Sequence, residues 1–168
     1  MTKSYILSLI LTCLVMTMGI SQKYAYINST QLLLKLPQVK AADDQLETYQ
    51  KSLVSKGESM VKGFETEYNK YVAEAQKGTL TGLQRQQRES ALAQQQQEIQ
   101  KYEKEVQLLI GTKREQLYKP ILDKVKAVVE QIGKDGEYTM IFDQSVGGLI
   151  YSVEADNLMD QVKSKLGI

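Results

Sequence analysis

The residue types that do chemistry are scarce in this chain. Its 168 residues include no His, no Trp and a single Cys, Cys13. Without histidine, neither a Ser-His-Asp nor a Cys-His relay can be assembled. A phosphate-cradling Gly-x-x-x-x-Gly-Lys-Ser/Thr loop is absent, which argues against ATP-driven action. Asp143 is the one carboxylate whose setting invites a catalytic or metal-binding reading, at a strand end before Gly147-Gly148. An aspartate there more often accepts hydrogen bonds from a turn. A paired-carboxylate hydrolase is compatible with composition, but long polar segments suggest no pocket for one. We therefore expect no catalytic, cofactor-binding or metal site.

The elements that could position any working surface begin after an apolar leader. Met1-Thr2-Lys3 is followed by a nearly unbroken apolar run to Ile20, with Gly19 and Ser21 before Gln22. This is the layout of a cleaved secretory signal peptide over residues 1–21. A retained anchor would need ~20 apolar residues, more than are present. Lipidation of Cys13 would require small residues where Leu11 and Thr12 stand. Export by this leader removes the only thiol, so no disulfide remains. Loss of Lys3 leaves 20 basic against 20 acidic side chains, a balance that argues against a nucleic-acid partner.

Three zones follow. The run Lys23-Tyr-Ala-Tyr-Ile-Asn28 is β-prone, Ser29 or Thr30 is a candidate helix cap, and Pro37 interrupts the first helix or resets its direction. Residues 38–132 form a long, charged, Gln-rich zone. Leu46, Tyr49, Leu53, Met60, Phe64, Tyr68, Tyr71 and Ala75 recur at helical steps, several of them eleven apart, which predicts a nearly straight or mildly right-handed helix pair. A second stripe runs from Ile99 through Tyr102, Val106, Leu109, Leu117 and Val125 to Ile132, with Lys113 its one polar member. The glycines Gly78 and Gly82 predict a reversal near 78–82. The zone thus reads as an antiparallel helical hairpin, each arm ~60 Å or more. Gly57, Gly63 and Gly111 each weaken a helix by ~1 kcal/mol relative to Ala, so the arms should bend and loosen toward the tip.

The last zone reads as a turn at Gly133–Gly136, a strand Tyr138–Asp143, a turn at Gly147–Gly148, a second strand Leu149–Val153 and a helix from about Asp156 to Leu166, stopped by Gly167. Segments 22–37 and 133–168 together make a small β body. A body this small is marginal alone, and its open strand edges favour completion by association. The fold class is α+β, mostly helical: a long hairpin projecting from a β body shared between subunits.

Apolar side chains on the hairpin divide into two sets. Seam positions zip the arms together, while Val54, Val61, Val72, Leu80, Leu83, Leu92 and Leu108 lie off the seam and are candidates for loose contact with another chain. Isolated exposed apolar residues are common, so these positions also admit a purely structural reading. Lys77, Arg85 and Arg88 make a locally basic tip, either a solvated face or a weak contact for a membrane surface or an acidic segment. Tyr26, Ile27, Met140, Phe142, Leu149 and Tyr151 are assigned to the oligomer body. Gly111 and Pro120 mark either a hinge or a tolerated kink.

The succession of leader, strand ending at Asn28, long hairpin, Leu117-Tyr-Lys-Pro-Ile121 with Val125, Tyr138-Thr-Met-Ile-Phe-Asp143 and Gly147-Gly-Leu-Ile-Tyr151 resembles the Skp/OmpH family of periplasmic chaperones. The resemblance implies a homotrimer whose helical arms surround a cavity. It implies a periplasmic, ATP-independent holdase for unfolded outer-membrane β-barrel proteins. The neutral mature chain departs from the basic character of such proteins, and no lipopolysaccharide-binding cluster can be matched onto it. The alternative is a coiled-coil spacer or adaptor of the cell envelope.

Overall fold

A computed structural model describes residues 22–168; the apolar leader, and with it the signal-peptide reading, lies outside the described residues. The elements are β1 (Tyr24–Ile27), α1 (Ser29–Leu34), α2 (Pro37–Gln76), α3 (Gly82–Asp135), β2 (Met140–Asp143) and α4 (Met159–Leu166), with single 3-10 turns at Gln144–Val146 and Glu154–Asp156. The chain is mostly helical with one small strand pair. It divides into two compact units, Leu33–Lys124 and the remainder, called here the arm and the body.

In the arm, Pro37 occupies the first helical turn of α2, where a missing N–H costs nothing and its fixed φ suits the helix. α2 continues for 40 residues, about 60 Å. It ends in a Schellman turn: Thr79 N–H reaches the Glu74 carbonyl, Gly78 N–H that of Ala75, and Gly78 has φ +66°. α3 begins with a capping box. The Thr81 hydroxyl accepts from Gln84 N–H (3.3 Å) while the Gln84 side chain accepts from Thr81 N–H (2.9 Å). The tip is thus closed on both sides by satisfied helix ends.

Cross-contacts run antiparallel from tip to base. Tyr71 donates to Glu89 (2.5 Å), Arg88 pairs with Glu67 (3.2 Å) and Glu74 (3.5 Å), Tyr102 donates to the Leu53 carbonyl (2.9 Å), and Tyr118 donates to Asp43. Leu46, Leu53 and Tyr102 are buried in the seam. The Tyr102 ring packs over Gly57, where a Cβ would make an ordinary contact at 3.5 Å. Lys113, the polar member of the stripe, places its ammonium 5.7 Å from the Tyr49 ring centre, inside cation–π range. Tyr68 is not a seam residue. Its ring stacks on Phe64 (6.1 Å between centres) and is 49% exposed.

In the body, β1 and β2 pair in parallel, Tyr24 opposite Met140 and Ile27 opposite Asp143. Parallel pairing requires a long crossover between strands, and the chain supplies one of more than a hundred residues. Tyr26 is also bridged to Asn157, with Leu158 N–H on the Tyr26 carbonyl (3.0 Å). α4 places Met159, Val162 and Leu166 on one buried face, and Leu32 and Val162 are fully enclosed. Gly167, at φ +80°, stops α4.

Four expectations for this region need correction. The cap of α1 is Asn28, whose side chain accepts from Gln31 N–H (2.9 Å), because Ser29 is engaged by Asp143. α3 runs on through Gly133 to Asp135 and closes in a Schellman turn. Tyr138 N–H meets the Gly133 carbonyl and Glu137 N–H that of Lys134, so the left-handed residue is Glu137 (φ +54°), not a glycine. Leu149–Val153 does not form a strand: it pairs with neither β1 nor β2, and Ile150 is 100% exposed. The final helix starts at Met159, after a 3-10 turn that occupies Glu154–Asp156.

Candidate functional site

The off-seam apolar residues fall on both helices of the arm, apart from Leu80 in the turn between them. Val54, Val61, Leu83 and Leu108 are exposed, whereas Val72, Leu80 and Leu92 are half-buried. Leu122 and Tyr68 are exposed as well and were not among the sequence candidates. The Tyr68 omission has a simple cause, since it sits four residues from Phe64 and three from Tyr71, the same steps that define the seam.

At the tip, Lys77 and Arg85 are exposed. Arg88 is half-buried and bound to Glu67 and Glu74, two acids from the facing helix that a local count of charges along the chain does not see. The Tyr71 phenol is pushed above its usual range, first by its hydrogen bond to Glu89 and then by burial. Gly111 and Pro120 both lie inside the continuous helix α3. A Cβ at Gly111 would meet nothing within 4 Å, so its place in the helix is not forced by packing.

In the body, Tyr26 and Ile27 are buried, Leu149 is half-buried, and Met140, Phe142 and Tyr151 are exposed. Tyr24, Tyr26, Phe142, Leu149 and Tyr151 line a cleft of about 290 Å³, with the Tyr24 and Phe142 rings 6.3 Å apart. Val146, Ile150 and Val153 add further exposed apolar surface. Sequence reasoning missed Tyr24 and Ile150 because alternation along a strand assigns one face inward, and here the segment holding Ile150 is not a strand.

Asp143 is a structural acceptor. Its carboxylate receives Ser29 N–H (3.1 Å), the Ser29 hydroxyl (2.5 Å) and Ser145 N–H (3.0 Å). Burial, the largest single influence, pushes its pKa up. The hydrogen bonds from Ser29 and Ser145 together outweigh that and hold the carboxyl below its ordinary value. The residue ties the end of β2 to the start of α1 and caps the 3-10 turn after it. Among the described residues, no three His, Cys, Asp or Glu side chains are grouped to hold a metal, and no helix is long and apolar enough to cross a membrane.

The described residues form a long helical hairpin and a small parallel strand pair, with several large apolar side chains left exposed. The chain belongs to the OmpH-like outer membrane protein family, whose model matches residues 23–166. The fold is shared with a crystal structure from Caulobacter crescentus CB15 described as an OmpH-like outer membrane chaperone. The two have a TM-score of 0.73 at 14% identity, with 86% of this chain and 83% of that one covered. Comparison with curated proteins gives no match.

Proposed function

We propose that this protein is an ATP-independent periplasmic holdase that binds unfolded outer-membrane β-barrel proteins between the helical arms of a homotrimer. The observation that carries this reading is the arm itself. Its seam buries few large side chains, while Val54, Val61, Leu83 and Leu108 are left exposed on an otherwise polar hairpin. Scattered apolar contacts of this kind bind many sequences weakly, which is what a holding function needs. Membership of the OmpH-like family supports the same reading.

The body supplies the subunit contact in this proposal. Met140, Phe142, Tyr151 and the cleft at Tyr24 are too apolar a surface to leave in water, and β2 keeps an open edge. Residues 22–37 and 133–168 are then the association region, 38–132 the holding arm with its tip near 78–82, and Gly111 and Pro120 its hinge. Lys77 and Arg85 remain the tip's free cations for a weak membrane contact.

One observation favours the spacer reading. The tip is closed by a Schellman turn and a capping box, and a firm tip suits a single folded partner. Dilution of a urea-unfolded outer-membrane barrel protein into protein 22–168, followed by light scattering and sedimentation, separates the two. Suppressed scattering that saturates near one trimer per client supports the holdase. Unchanged scattering by a stable oligomer would reject it in favour of the spacer.

A further inference from the structure

α2 carries an acid–apolar ladder, and we infer that it selects client segments in which apolar residues are interspersed with Lys or Arg. The inference rests on the holdase reading and specifies what its arm prefers. At ~100° per residue, Val54, Glu58, Val61, Glu65, Tyr68 and Val72 fall within an arc of about 80° along α2. Val54, Val61 and Tyr68 are exposed at seven-residue intervals, ~10.5 Å apart along the axis. Glu58 and Glu65 lie between them, exposed, with neither an ion-pair nor a hydrogen-bond partner among the described residues.

The same arc from Asp43 to Gln76 holds no Lys or Arg. Of the basic residues of α2, Lys56 lies over the Tyr102 ring (4.8 Å), Lys51 reaches Glu47 at the base end of the arc (2.6 Å), and Lys62 flanks the arc one turn after Glu58. Between Val54 and Val72 the arc is therefore apolar and acidic, although residues 22–168 carry equal numbers of acids and bases. Charge complementarity names the occupant, an unfolded segment with apolar side chains for the rungs and cations for the carboxylates. An extended segment advances ~3.3 Å per residue, so one rung-to-rung step spans about three residues. Long Lys or Arg side chains can reach the intervening carboxylates without fixing a register, which suits a surface that must accept many sequences.

The test uses the full oligomer and three unstructured peptides of repeating Leu-Ser-Lys, Leu-Ser-Ser and Leu-Ser-Glu, with fluorescence anisotropy at low and high salt. The expected order of affinity is Lys over Ser over Glu, compressing as salt rises. E58Q/E65Q should weaken the Lys peptide about fivefold, in keeping with two exposed ion pairs, and leave the Ser peptide unchanged. V54S/V61S should weaken all three peptides alike. Equal binding of the three peptides, or a Lys preference intact in E58Q/E65Q, would overturn the ladder while leaving the holdase reading in place. Binding of none, with client aggregation unsuppressed, would overturn both.

Discussion

Removing the Asp143 carboxylate should loosen the body by about 2 kcal/mol at neutral pH, and the loss should shrink in acid. The carboxylate accepts two backbone N–H groups and one hydroxyl, all within 3.1 Å. A hydrogen bond to a charged acceptor contributes ~1.5–3 kcal/mol, and loss of a helix cap alone costs ~1 kcal/mol. Three such bonds do not add here, because the site is half-exposed and water reaches part of what Ala would abandon. About 2 kcal/mol is the result for Asp143→Ala. Asp143→Asn keeps one acceptor oxygen for the two amides and should cost about half as much.

The pH dependence follows from the depressed pKa. A carboxyl held below its unfolded value of ~3.9 contributes stability that is complete above that value and is lost as pH falls through the folded one. The Ala penalty should therefore be full at pH 7 and smaller at an acid pH below the unfolded value. Urea unfolding at fixed protein concentration checks this, the fixed concentration being needed because association shifts the midpoint. At a slope of ~2 kcal/mol/M the midpoint falls by about 1 M at pH 7. Hydrogen exchange in β1 peptides gives the body-local readout. A penalty equal at both pH values, or an Asn variant as impaired as Ala, would refute the reasoning.

Further outcomes follow from backbone and seam. Glu137→Gly should stabilise the body by about 1 kcal/mol, since Glu137 holds a left-handed conformation that costs any L side chain; Gly136→Ala should destabilise it by ~1–2 kcal/mol, because the new methyl would press on the Tyr138 ring and within 3.0 Å of the Ile132 carbonyl. Both are read from thermal denaturation. Tyr102→Phe should cost the arm only ~1 kcal/mol in urea unfolding, because the Leu53 carbonyl that loses its hydroxyl donor remains an acceptor in the helix ladder. Gly63→Ala and Gly111→Ala, where a Cβ meets nothing within 4 Å, should each raise arm stability by up to ~1 kcal/mol; slower client uptake by the pair of substitutions, followed by stopped-flow fluorescence, would show that the glycines serve bending.

The hairpin was legible because two signals agree. The seam repeats at helical steps on both arms, and its only interruption carries paired glycines. Finer features were legible in principle. Thr81-Gly-Leu-Gln84 is a capping-box sequence, from which the start of α3 could have been read. Gly136 misled because a glycine near a helix end usually takes the left-handed position, yet here α3 extends far enough that Glu137 falls there instead. The segment Leu149–Val153 misled for another reason. β-Branched and aromatic residues give a strand propensity, but propensity without pairing does not make a strand, and here the segment pairs with neither β1 nor β2. Arg88 is the parallel case at the tip: its two glutamate partners are more than a dozen residues away, and only the fold brings them near.

Net charge illustrates the same limit in a form that bears on function. Counted along the sequence, the acids and bases of the arm are intermixed, and the reading that follows is a solvated coat. Wound on a helix, they separate. Lys51 is turned to Glu47, Lys56 lies against Tyr102, Lys113 against Tyr49 and Arg88 between Glu67 and Glu74. Each of these cations is held by a neighbour, whereas Glu58 and Glu65 are not. Between Val54 and Val72 the charges on this arc of α2 are negative, with Lys62 at its margin, though residues 22–168 carry equal numbers of both signs. In the proposed holdase, electrostatic preference follows from which charges stand on the contact arc, so Gln50→Lys, which puts a cation on that arc, should weaken the bias toward basic segments.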